Sequence, residues 1–141
     1  LNYFSGNGVL IGNGASAITA TFSTNGNLTI AGTLTQSSDS RLKKNIEPLT
    51  NSLRNLLQLN GYTYNWQDAG KDSLQQIGIL AQEVEKIFPE LVTTNGDGYK
   101  SVNYIGLIPV IIEGFKEQQK QIEKQNQQIE TLSNLVNKLL K

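Results

Sequence analysis

Gln36-Ser37-Ser38-Asp39-Ser40-Arg41-Leu42-Lys43-Lys44 is where this 141-residue chain changes character. The chain holds twelve Lys plus Arg and twelve Asp plus Glu, and every one of them lies at or after Asp39. Residues 1–38 carry no charge and consist mainly of Gly, Asn, Ser, Thr and apolar residues. A shift this sharp marks a boundary between two kinds of structure. We place it at Ser37 to Ser40.

Upstream of the boundary the pattern reads as strands and turns. Thr21-Phe22-Ser23-Thr24 and Leu28-Thr29-Ile30 flank Asn25-Gly26-Asn27, a hairpin signature. Apolar and β-branched residues alternate from Thr19 to Leu34, which suits a pleated surface. A stretch this short with so few large apolar groups cannot bury a core alone. Intertwining with copies of itself solves that problem; a disordered linker is the bland alternative.

Downstream, to about residue 104, the pattern is mixed α+β. Thr50 or Asn51 is placed to cap a short helix carrying Leu53, Leu56 and Leu57. Tyr62-Thr63-Tyr64-Asn65-Trp66 alternates like a strand. Ile77-Gly78-Ile79-Leu80 is a short apolar run, expected to be buried. Ala81 to Phe88 predicts a helix with Val84, Ile87 and Phe88 on one face, stopped by Pro89. Leu91 to Thr94 and Tyr99 to Val102 flank Asn95-Gly96-Asp97-Gly98, a second hairpin.

The remainder predicts one long helix. With Ile108, Phe115, Ile122, Ile129 and Val136 at heptad position a, Ile111, Gln118, Gln125, Leu132 and Leu139 fall at d. This 3–4 spacing is a coiled-coil pattern. Packing on the chain's own domain would account for Ile108 to Phe115. Beyond about Lys120 the apolar stripe is too narrow for anything but a partner helix. Gln at two d positions costs stability but fixes register or oligomer state; the heptads alone leave dimer and trimer open.

Composition removes most chemistries. Net charge is zero, which argues against nucleic acid, whose recognition needs a basic excess. There is no cysteine and no histidine, so disulfides, Cys nucleophiles, His triads and the usual metal clusters are excluded, and no metal or cofactor is expected. No apolar run reaches the roughly 20 residues of a membrane span, so no membrane partner is expected. The N-terminus lacks the basic start of a signal peptide. Leu1 in place of Met points to a piece of a longer protein, and the lack of cysteine leaves the compartment open. Glu83 and Glu85, two apart on a helix, face different ways and read as solvated. Asn95 to Gly98 lacks the acids of a calcium loop. A Ser–Lys dyad survives this filter: Ser38 and Lys43 are five residues apart, with Arg41 and Lys44 nearby. Such spacing is common, and a turn capped by Ser38 or Ser40 is the plain reading.

The motifs taken in order resemble a known family. Ser38-Asp39-Ser40-Arg41-Leu42-Lys43-Lys44-Asn45-Ile46 resembles the opening of the intramolecular chaperone domain of phage endosialidases and tail spikes or fibres, the S74 peptidase family. Tyr62 to Trp66 resembles its aromatic strand, and Gly78-Ile79-Leu80-Ala81-Gln82-Glu83-Val84 with Pro89 its central motif. Val102-Asn103-Tyr104 followed by Ile108 to Gln118 resembles its final helix. The resemblance covers about residues 38–141. It implies an α+β homotrimer in three parts: residues 1–37 as the end of an intertwined β-stem, 38–104 as the chaperone and autoprotease core, and 105–141 as the coiled-coil helix.

The resemblance also implies a role. The domain would gather three chains, help its own upstream β-stem to fold, and then cut itself off as a single-turnover serine peptidase with no external substrate. Ser38 would be the nucleophile, Lys43 the general base and Ser37–Ser38 the scissile bond. Asp39, Arg41, Lys44 and Asn45 would complete the motif. Ser37 is a poorer nucleophile because its spacing to Lys43 is wrong. The setting implied is a virion tail fibre or spike made in a host cytoplasm, with the chaperone fragment released, or a bacterial surface protein.

Physical chemistry links cleavage to assembly. A solvated lysine titrates near 10.4, so only about one in a thousand is neutral near pH 7.4. Bringing such an amine to about 7 takes roughly 4 to 5 kcal/mol of selective disfavour for the charged form. Burial supplies that, helped by a neighbouring cation such as Arg41 or Lys44. A closed trimer is expected to bury Lys43; a lone chain is not. Backbone amides after Ser38 are the expected oxyanion donors. Stem strands make non-local contacts that form slowly, and a self-associating neighbour raises their local concentration. Two other readings remain at this point: a permanent, non-cleaving trimerisation tip, and a coiled-coil interaction protein without cleavage.

Overall fold

The computed structural model describes residues 9–12, 18–24 and 26–140. The chain is mixed α+β, as expected, with a long C-terminal helix. Its elements are β1 (Val9–Gly12), β2 (Ile18–Phe22), β3 (Leu28–Ile30), α1 (Ser52–Leu56), β4 (Tyr62–Tyr64), β5 (Gln76–Gly78), α2 (Ala81–Ile87), β6 (Val92–Thr94), β7 (Lys100–Val102) and α3 (Leu107–Leu139). Two 3-10 turns, Ser40–Leu42 and Pro89–Leu91, punctuate them. Two compact units emerge. One takes the described residues up to Ile46 together with Tyr64–Gln76; the other takes Glu47–Thr63 and the chain from Ile77 onward.

In the first unit β1, β2 and β3 form an antiparallel sheet in that order. The β2–β3 hairpin falls where its turn residues put it. Ser23 and Asn27 close the loop through a 2.8 Å backbone bond, and the Ser23 hydroxyl donates to the Asn27 carbonyl. Gly26 takes the left-handed conformation the turn needs, φ +85°; Asn25 lies outside the described residues. Strand β1, which pairs with β2 through an irregularity at Ile11/Gly12, was not expected, because its Gly/Asn-rich surroundings read as turns. Ile11, Phe22, Leu28 and Leu34 are 46–60% exposed, so these apolar side chains find little cover within their own unit. The strand expected over 62–66 ends at Tyr64, beyond which Trp66 stacks edge-on to Tyr64, ring centroids 5.4 Å apart.

The second unit holds every buried apolar side chain among the described residues: Val84, Phe88, Leu107 and Val110. Leu56, Leu59, Ile79, Ile87, Leu91, Val92 and Val102 pack around them. Helix α2 buries the expected Val84–Phe88 face, and Pro89 opens the turn that follows it. The β6–β7 hairpin forms in the register Val92↔Val102, Thr93↔Ser101, Thr94↔Lys100. The Asn95 side chain closes its turn by accepting from the Asp97 and Tyr99 amides. Lys100 ties this hairpin to α2 through Glu85 at 2.7 Å.

Two expectations are corrected here. Ile77 is 83% and Leu80 47% exposed, not buried: Gly78, its neighbour in β5, takes the inner face, and alternation turns Ile77 outward. Asn51 stands at the N-cap of α1 without a side-chain cap bond, and Leu57 is 77% exposed. The cap comes instead from α3: Glu117 accepts from the Ser52 and Leu53 amides, both at 3.0 Å, placing a carboxylate on the positive end of α1. The expected packing of α3 on its own domain over Ile108 to Phe115 is carried by Val110 and Gly114, with Leu107 just before them, while Ile108, Ile111 and Phe115 are 52%, 42% and 68% exposed. Gly114 permits the approach of α1: a Cβ there would meet Leu56 Cδ1 at 2.6 Å. Pro109 fits the first turn of α3, where its missing N–H costs no helical bond.

Candidate functional site

The site is built from one short turn. Asp39 stands in extended conformation before the 3-10 turn Ser40–Leu42, and its Oδ1 accepts from the Arg41 amide at 2.9 Å. Asp39, not Ser38 or Ser40, is therefore the cap, as a short acceptor side chain at this position allows. The turn closes through Leu42 N–H to the Asp39 carbonyl and Lys43 N–H to the Ser40 carbonyl, each 3.1 Å. It reverses the chain by one step, and Lys43 leaves it extended. The Lys43 ammonium then reaches back and donates to Ser38 Oγ at 2.8 Å.

Arg41 folds over the same turn. Its Nε donates to both Asp39 carboxylate oxygens at 3.1 Å, and its Nη2 donates to Oδ2 at 2.6 Å. This hydrogen bonding holds the Asp39 carboxyl below its ordinary range and raises the Arg41 guanidinium. Of the two cations expected to assist Lys43, Arg41 is paired with Asp39. Lys44 is exposed. Asn45 takes a left-handed conformation, φ 52°, which asparagine tolerates better than most residues.

Of the six motif residues four form two contacts, Ser38 with Lys43 and Asp39 with Arg41, followed by Lys44 and the Asn45 bend. All of them are exposed, as are Leu42 and Ile46 at 76% and 66%. The Ser38–Lys43 bond runs from ammonium to hydroxyl. For base catalysis the amine must first lose a proton and then accept one from Oγ. The turn can therefore place a hydroxyl and an amine in contact, and a change of environment decides which of them holds the proton.

The heptad residues form the second feature. Ile108, Ile111, Phe115, Ile122, Ile129, Leu132, Val136 and Leu139 are 42–85% exposed along α3. Gln118 and Gln125 lie on the same stripe and are also exposed.

One polar cluster escaped sequence reading. Glu83, read as solvated, accepts from Tyr62 Oη at 2.7 Å and from Asn60 Nδ2 at 3.3 Å. The Tyr62 bond lowers the Glu83 carboxyl, and the Glu83 contact raises the Tyr62 phenol. No local spacing announces a bond between residues 21 positions apart.

Comparison with known proteins finds relatives of this chain. Residues 38–93 match the family described as chaperone of endosialidase, Peptidase S74. The chain is 33% identical over 116 residues to the long tail fiber protein Gp37 of Salmonella phage S16, an alignment covering 77% of this chain and 16% of that protein. It is 39% identical over 79 residues to the long tail fiber protein Gp37 of Escherichia phage AR1, covering 50% of this chain and 7% of that protein. The chain thus spans only a small part of either relative's length.

Proposed function

We propose a self-cleaving assembly role, on the premise that this chain belongs, through residues 38–93, to the chaperone of endosialidase family. Three copies associate along α3 and help the upstream β-stem, the client, to fold. The Ser37–Ser38 bond is then cut by the Ser38–Lys43 dyad. The setting is a phage tail fibre, in line with the two long tail fiber proteins that the chain resembles. The observation that carries the cleavage reading is the 2.8 Å contact between Lys43 Nζ and Ser38 Oγ. Chance spacing alone gives no reason for that contact.

The chemistry follows from the contact. The neutral Lys43 amine takes the Oγ proton as Oγ adds to the Ser37 carbonyl carbon. The carbon–nitrogen bond breaks, and the Ser38 amide nitrogen leaves with the proton carried by Lys43. The product is an ester joining the Ser37 carbonyl to the Ser38 side chain. Water hydrolyses it, leaving a stem that ends in the Ser37 carboxylate and a fragment that begins with the Ser38 amine. Burial of Lys43 when three copies close supplies the neutral amine, because desolvation disfavours the charged form. Exposed Leu42 and Ile46 beside the dyad support this reading, since they offer apolar surface for a neighbouring copy to cover.

Intact mass and N-terminal sequence of freshly purified protein test the proposal, beside a Ser38→Ala variant. The expected result is a fragment from Ser38 to Lys141 in the wild type and none in the variant. A wild-type chain that forms trimers yet stays whole would overturn cleavage and leave a permanent trimerisation tip.

A further inference from the structure

We infer that Asp39 and Arg41 are the positioning pair of this site, locking the Ser40–Leu42 turn so that Lys43 meets Ser38. The inference rests on the self-cleavage reading above and assigns two residues whose side chains bond to each other and not to the dyad. Geometry carries it. Ser38 and Lys43 lie on opposite sides of a single 3-10 turn whose own backbone closure is two bonds of 3.1 Å. Two such bonds leave a short, exposed turn free to open. Asp39 adds what the backbone lacks: one carboxylate oxygen caps the Arg41 amide, and both oxygens receive the Arg41 side chain.

The result is a closed ring of Asp39 carboxylate, Arg41 backbone and Arg41 guanidinium around the turn. The guanidinium's fixed fork suits a carboxylate, which a lysine ammonium does not reproduce. The pair also keeps Asp39 away from Lys43. A free carboxylate one residue from Ser38 would hold the amine in its charged form, which opposes its use as a base. Arg41 thus both braces the turn and occupies the acid next to Ser38.

Cleavage rates of the full chain, followed by mass after synthesis in a cell-free system, test this. Asp39→Ala is expected to slow cleavage by about 10- to 100-fold, the scale of a misplacement near 1 Å. Asp39→Asn keeps the amide cap and is expected to recover part of that loss. Arg41→Lys is expected to be slower than wild type with a pH–rate profile displaced upward, because Asp39 is freed to hold Lys43 charged; a merely structural role would not move that profile. Trimer content by sedimentation is expected to stay unchanged in all three. Wild-type rates and profiles in Asp39→Ala and Arg41→Lys would overturn the inference. Should the wild type itself stay whole, the cleavage reading fails on its own, and the Lys43 15Nζ resonance decides the positioning claim. It moves on Asp39→Ala if the pair holds the contact; an unmoved resonance overturns it.

Discussion

From Leu107 to Glu117, α3 works for its own domain; from Gln118 to Leu139, none of its residues is buried. The first stretch sets Leu107, Val110 and Gly114 against α1 and the core, and Glu117 caps α1. The second continues an apolar stripe that had already begun at Ile108, one position beside the packed one. Two stripes therefore start together, and the exposed one outlasts the other. A helix kept in place by its own domain has no need of the longer stripe. The difference separates a contact met within the chain from an exposed stripe that, in our proposal, two further copies cover.

The comparison breaks most readily at its packed end. Leu107→Ala is expected to cost about 2 to 5 kcal/mol, because a core of four buried apolar side chains has little with which to refill the cavity. Urea unfolding followed by far-ultraviolet circular dichroism measures it, and a loss under 1 kcal/mol would mean that this stretch is not the anchor. Ile129→Asn, on the open stripe, is expected to weaken self-association at least tenfold, about 1.4 kcal/mol, without disturbing Trp66 fluorescence. Unchanged sedimentation would show that the stripe is not the contact between copies. Glu117→Ala stands at the junction and is expected to lose about 1 kcal/mol, as removal of a helix cap does.

The smallest effect sharpens the comparison from within the packed domain. Glu83 is lowered and Tyr62 raised by their mutual hydrogen bond. The Glu83 share is present above the ordinary carboxylate value of about 4.3 and is lost as pH falls through its lower folded value. The Tyr62 share is present below about 10 and is lost as pH rises through its higher folded value. Wild type is therefore expected to exceed Tyr62→Phe slightly in urea midpoint from about pH 5 to 9, with the gap closing at either extreme. A gap independent of pH would mean that the bond contributes nothing.

What was legible in the sequence was whatever is decided locally. A glycine in the left-handed conformation marks the turn of each hairpin, Gly26 in one and Gly98 in the other, and few other residues accept those angles. The face of α2 follows from the spacing of Val84 and Phe88, and the charge boundary puts the motif turn near Ser38. Illegible were the facts set by distant partners. Glu117 caps a helix 64 residues away, and Glu83 bonds to a tyrosine on another element. An apolar run such as Ile77 to Leu80 says that burial is wanted but not which side receives it. At the site, spacing named Ser38 and Lys43 but did not distinguish a touching pair from a coincidence. It also left Asp39 and Arg41 as separate charges, because pairing depends on how the turn folds them together.

The sheet of β1, β2 and β3 contains no ionisable side chain anywhere from Val9 to Ile30. The side chains of that segment neither protonate nor gather counterions in the ordinary range. The acidity and salinity of the surroundings therefore have no handle on it through its own side chains. They reach it through charged residues from further along the chain, such as Lys71, whose ammonium lies close to Gly26 at the β2–β3 turn.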